Sequence, residues 1–125
     1  MTDAKNVLFI VIDQLRADCV FGALANSVDM PNIRALADDA VSFRSHYTVL
    51  SPCGPSRVSL LSGRYGMNHG AMRNGSPVRH DMPNVATEAR KAGYEPLLFG
   101  YTDHTLDPRV TDPDDARLKD RKSVV

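Results

Sequence analysis

A thiol, a guanidinium and a helix start converge in Ser51-Pro52-Cys53-Gly54-Pro55-Ser56-Arg57, the stretch of this chain with the greatest chemical capacity. Pro55 has the fixed φ that suits a first helical position, and Gly63 can end the helix in a left-handed conformation. Cys53 is therefore expected just ahead of a helix N-terminus, where partial positive charge and unpaired N–H groups favour an anion. Arg57, about one turn further on, can aim its guanidinium at the same place. The competing reading of Cys53 is a small buried side chain or an inert loop thiol.

Asp13, followed by Gln14, is the second candidate. It ends Asn6-Val7-Leu8-Phe9-Ile10-Val11-Ile12, an apolar run rich in β-branched residues that suits a parallel strand buried on both faces. Ligands of open α/β sheets gather beyond the carboxyl ends of strands, so a carboxylate here is placed to hold a metal. The alternative is a cap for the helix expected from Leu15 onward.

The elements that must position these residues follow in order. Asp29-Met30-Pro31-Asn32 opens a helix with Ile33, Leu36, Ala37 and Ala40 on one apolar face. Residues 41–47 alternate like a strand and deliver the chain to the cysteine turn. A glycine-punctuated loop, 66–79, holds Asn68, His69, Arg73 and Asn74, polar groups of the kind that loops usually leave solvated. Asp81-Met82-Pro83-Asn84 opens a further helix that Gly93 ends, and residues 96–101 read as another buried strand. His46 is read as structural or surface-lying and Cys19 as a plain core or helix residue. This alternation predicts an α/β fold.

Composition narrows the function classes. The 125 residues suit one domain, and 42% hydrophobic with 24% charged residues is a soluble globular balance. Fifteen basic and fifteen acidic residues cancel, so a broad polyanion surface and a nucleic-acid partner are not expected, while a local anion pocket remains open. With no leader-like segment and no apolar run long enough to span a bilayer, the chain reads as cytoplasmic and without a membrane partner. Two cysteines make neither a disulfide framework nor a zinc signature.

Cys53-x-Pro55-x-Arg57, with Leu61-Ser62-Gly63-Arg64 after it, resembles the signature of the type I sulfatases of the alkaline phosphatase superfamily. The resemblance implies that a formylglycine-generating enzyme oxidises Cys53 to Cα-formylglycine. Its hydrated aldehyde would attack sulfur or phosphorus from a metal-bound oxygen, and the second hydroxyl would later expel the ester. A divalent cation (Ca, Mn or Mg) is implied, held by Asp13, Gln14 and the Cys53-derived oxygen, with Arg57 and the helix N-terminus stabilising the charge that develops. Gln14 stands where many arylsulfatases carry a second acid. That departure, with Gly66-Met67-Asn68-His69, Arg73-Asn74, Gly100-Tyr101-Thr102 and Asp107-Pro108-Arg109, is similar to the phosphonate monoester hydrolase branch. Substrate contacts from Gln14, Asn74 and Tyr101 are implied. Asp103 stands where that branch has a threonine, and a carboxylate there would repel an anionic ester unless paired or protonated.

The resemblance covers residues 5–119 and implies a partial doubly wound, mostly parallel sheet of the alkaline-phosphatase and sulfatase type. Residues 1–119 are expected to be the truncated N-terminal part of a catalytic domain, inactive alone because further metal ligands lie elsewhere. Residues 120–125 are expected to be a non-native tail, similar to a translated sequencing-adapter oligonucleotide. The expected activity of the parent is metal-dependent hydrolysis of small anionic esters: sulfate esters, phosphonate monoesters or phosphodiesters. An unmodified Cys53 phosphatase and a non-catalytic binding fragment are the alternatives, and the sequence leaves open whether the parent is a homo-oligomer.

Overall fold

The computed structural model describes residues 6–79, 81–100 and the strand at 123–124. It divides into two units, Met1–His46 and Tyr47–Val125, which are described separately.

In the first unit, residues 6–12 form no strand, and Val7 and Leu8 are 80% and 85% exposed. This corrects the expectation of a buried strand. An apolar run supplies the side chains of a sheet, but a ladder needs a partner backbone, and no described segment pairs with this one. The run ends in a turn at Asp13 and Gln14, where Gln14 adopts a left-handed φ of 55°. Helix α1 spans Ala17–Phe21, with Arg16 and not Asp13 at its N-cap. Arg16 donates to the carboxylate of Asp18 at 3.0 Å. That bond holds the Asp18 carboxyl below the usual carboxylate range. Cys19 lies half-buried in this helix, as expected.

Helix α2, Pro31–Asp39, starts as its sequence predicts, with Pro31 at the first helical position. The apolar face is narrower than expected: Ile33 and Ala37 are half-buried, whereas Leu36 and Ala40 are exposed. Arg34 Nη2 donates to the Val28 carbonyl at 2.6 Å, and Ser42 Oγ donates to the Ala37 carbonyl at 3.1 Å. Arg44 lies 5.0 Å from the centroid of the Phe21 ring. Residues 41–47 thus form no strand, a second correction. Two side chains of this stretch turn back onto α2 and α1, which an alternating pattern cannot foretell.

The second unit holds α3 (Cys53–Ser62), α4 (Gly66–His69), α5 (Val85–Lys91) and β1 (Leu98–Phe99). Strand β1 pairs in parallel with β2 (Ser123–Val124), Leu98 opposite Ser123 and Phe99 opposite Val124. This two-residue pairing is the extent of sheet among the described residues, so the doubly wound sheet is not seen here. Strand β1 lies within the expected 96–101 strand, whose last residue, Tyr101, is outside the described residues, as are Thr102, Asp103 and Asp107 to Arg109.

Helix α5 shows why local signals were reliable. Asn84 Oδ1 accepts from the amides of Ala86 and Thr87, each at 3.0 Å, and Thr87 Oγ1 accepts from the Asn84 amide at 2.9 Å, a complete capping box. At the other end Gly93 takes φ 86°, and the Gly93 and Tyr94 amides donate to the Arg90 and Ala89 carbonyls. That is the Schellman pattern for which glycine is suited. Asn84→Ala should lower the stability of this unit by about 1 kcal/mol, read as a lower urea midpoint at unchanged m-value, because two first-turn amides lose their acceptor.

Candidate active site

Helix α3 begins two residues earlier than the sequence suggested, with Pro52 at the N-cap, Cys53 as the first helical residue and Pro55 third. The reason lies in Gly54. A residue before proline is normally driven out of the helical region by its Cβ and N–H, and glycine removes the Cβ part of that clash. The C-terminus is as expected: Gly63 takes φ 67°, ψ 20°, and its amide donates to the Ser59 carbonyl at 2.8 Å.

Gly54, Pro55, Val58 and Ser59 are buried and form the inner face of α3. Cys53 and Leu60 are exposed, and Arg57 is half-buried. Cys53 and Arg57 are four residues apart in one helix, so they share a face one turn apart. The helix thus exposes Cys53, with Arg57 one turn further along the same face.

Three polar side chains from outside α3 hold it. From upstream, Thr48 Oγ1 lies 2.7 Å from Ser56 Oγ and also donates to the Leu50 carbonyl at 2.8 Å, so Ser56 is the donor to Thr48. From downstream, His69 Nε2 lies 2.9 Å from Ser59 Oγ, while His69 Nδ1 accepts from the Ala71 amide at 3.1 Å. The Ala71 bond fixes the tautomer: Nε2 carries the proton and donates to Ser59. Finally, Asn74 Oδ1 accepts from the Gly54 amide at 2.9 Å.

That last bond alters the expectation for the helix N-terminus. Pro55 has no N–H, Gly54 gives its N–H to Asn74, and the Ser56 amide closes onto the Pro52 carbonyl at 3.0 Å. The first turn therefore does not offer a cradle of several unpaired amides to an anion. The helix dipole remains, and Arg57 is the cationic side chain that α3 brings to this face.

His69 is the residue whose place the sequence reading missed. The sequence places it among solvated loop polars, whereas it is 7% exposed at the end of α4. A histidine followed by Gly70, which takes φ 71° at the C-cap, was a usable helix-end signal; its bond to Ser59, ten residues back, had none. Asp13 and Gln14 are exposed in the first unit, adjacent at their turn. They offer a carboxylate and an amide oxygen, hard donors of the kind that Ca, Mg or Mn takes. Among the described residues, no group of three His, Cys, Asp or Glu gathers as a metal site. Cys19 and Cys53 form no disulfide, and no helix among the described residues is long and apolar enough to cross a membrane.

The sulfatase family profile matches residues 5–119, with Cys53, Arg57, Asp13, Gln14 and Asn74 inside the match. The chain belongs to the sulfatase family. It is 42% identical over 119 residues to the multifunctional alkaline phosphatase superfamily protein PehA of Trinickia caryophylli, covering 91% of this chain and 23% of that protein. Among solved structures it resembles the phosphonate monoester hydrolase SpPMH from Silicibacter pomeroyi, with TM-score 0.80 and 66% identity over 93% of this chain and 23% of the other. The phosphonate monoester hydrolase of Agrobacterium radiobacter follows, with TM-score 0.68 and 47% identity over 86% of this chain and 21% of the other. This sulfatase-family chain thus spans under a quarter of the length of these relatives. Their folds are those of alkaline phosphatase superfamily hydrolases, which supports the α/β class although the sheet itself is barely represented among the described residues.

Ser59 and His69 give the family's cysteine helix a buried anchor that can be measured. Ser59→Ala leaves the buried Nε2–H of His69 without its acceptor, and should destabilise the fold by about 1–3 kcal/mol, read as a reduced urea midpoint.

Proposed function

We propose that the protein carrying this chain hydrolyses singly charged tetrahedral esters, with phosphonate monoesters and phosphodiesters preferred over sulfate esters, at a nucleophile made from Cys53. The observation that carries the reading is the exposed Cys53 at the head of α3 with Arg57 on the same helix face, in a chain whose relatives include proteins named as phosphonate monoester hydrolases.

The roles follow from the donor chemistry. Cys53, converted to formylglycine by a formylglycine-generating enzyme, would supply a hydrated aldehyde whose hydroxyl attacks the ester. Asp13 and Gln14 would hold a divalent cation, which when bound lowers the pKa of an oxygen nucleophile and offsets negative charge. Arg57 binds the anionic group and stabilises the charge that develops on it in the transition state. Gln14 and Tyr101 orient the substrate, together with the carboxamide nitrogen of Asn74, whose oxygen is already committed to Gly54. In the family frame, residues 1–119 are part of a larger catalytic domain, and the hydrolase activity is that of the whole protein.

Two measurements test this. In the full-length protein, Cys53→Ala should abolish nearly all turnover, whereas Cys19→Ala should act mainly on stability. Intact mass after co-expression with the modifying enzyme should show conversion of the Cys53 CH2–SH to CHO. Retained activity in the Cys53 variant would overturn the nucleophile, and activity without the mass change would favour an unmodified thiolate. For substrate choice, kcat/KM for an aryl phosphonate monoester should exceed that for the matching aryl sulfate, and chelation of the metal should suppress both; a strong preference for the sulfate would count against the reading.

A further inference from the structure

We infer that Asn74 is a positioning residue for Cys53, acting through the Gly54 amide, and that the segment from His69 to Asn74 is the strap that delivers it. This rests on the proposed function for its catalytic consequence but not for its structural content.

The strap is tied to α3 at both ends. At its start the buried His69 imidazole donates to Ser59, in the middle of α3; at its end Asn74 Oδ1 accepts from Gly54, in the first turn. Between these ties Ala71 is 1% exposed, and its amide is bound to the same imidazole. The strap therefore runs against the helix from its middle back to its N-terminal end.

Asn74 is held by its own turn. The Ser76 amide donates to the Arg73 carbonyl at 3.1 Å, Ser76 Oγ accepts from the Arg73 amide at 3.2 Å, and Gly75 takes φ 70°. A left-handed residue directly after Asn74 suits glycine and makes a tight reversal possible. The side chain thus leaves a cross-braced turn toward one acceptor-seeking amide.

Gly54 follows Cys53 directly, so whatever fixes the plane of the Cys53–Gly54 peptide restrains ψ of Cys53 and helps set the direction of its Cα–Cβ bond. Glycine at this place has the widest backbone freedom of any residue. The cap that restrains it is provided from twenty residues downstream, because Pro52 at the N-cap has no polar side chain with which to serve its own helix. Losing the Asn74 oxygen would leave Gly54 able to rotate and the nucleophile less often in line with the ester, which lowers kcat.

The test compares Asn74→Ala with Asn74→Asp in the full-length protein. Asp keeps an oxygen in the same place and loses the NH2 donor; Ala loses both. Exchange of the Gly54 amide, followed by NMR or fragment-resolved mass spectrometry, should be about tenfold faster in the Ala variant and close to wild type in the Asp variant, as one lost hydrogen bond implies. With an aryl phosphonate ester, kcat should fall about tenfold in the Ala variant relative to the Asp variant, whereas KM should rise in both, because both lose the donor and Asp adds a repelling charge. Unchanged Gly54 exchange in the Ala variant overturns the tie. An Asp variant with protected Gly54 but a kcat as low as that of Ala overturns the positioning role. If wild type turns over none of the esters, the proposed function fails, and Gly54 exchange alone then decides whether the tie is real.

Discussion

The supply of backbone amides at the head of α3 is the constraint on which the site depends. A helix start normally leaves several N–H groups without partners, and proteins use that end either to cap the helix with a side chain or to hold an anion. Here the allocation is settled by three neighbours. Pro55 contributes no amide, Asn74 takes the one from Gly54, and Ser56 closes onto Pro52. At this end the helix dipole and the positive charge of Arg57 favour an anion. The site is thereby unlike a glycine-rich phosphate loop, in which a run of free amides does most of the holding.

The same helix explains why polar side chains gather around it. Its inner face is Gly54, Pro55, Val58 and Ser59, so little apolar side chain is available to fix it by packing alone. Hydrogen bonds with Thr48, His69 and Asn74 fasten it at the first turn and the middle. Such bonds contribute modestly to net stability, but they are directional, and leaving a buried partner unpaired is costly. For the exposed Cys53, proposed as the source of the nucleophile, direction matters more than depth of burial.

How much of this was legible in the sequence depends on the range of each signal. Pro31 at the head of α2, the left-handed Gly63 and the Gly93 end of α5 are written in residues within a turn of where they act, and each is found where expected; the Asn84 cap lies in the stretch read as a helix start. Strands are different. Residues 6–12 have the composition of a strand covered on both faces, but pairing is a property of two segments, and no described segment pairs with them. In the site, Cys53 and Arg57 were legible because one helix sets their spacing. The links Ser59 to His69 and Gly54 to Asn74 span ten and twenty residues, and no periodicity encodes them.

Sulfate monoesters, phosphonate monoesters and phosphodiesters are all tetrahedral and carry one negative charge near neutral pH. In the metal-holding role proposed for Asp13 and Gln14, a neutral amide in place of a second acid would leave one negative charge fewer around the cation. A site with a carboxylate pair would neutralise more of the metal's charge before any substrate arrived. With an amide oxygen instead, more of that charge would remain for the ester. Under the proposed function, that added positive potential would bear on the charge that develops on the ester in the transition state.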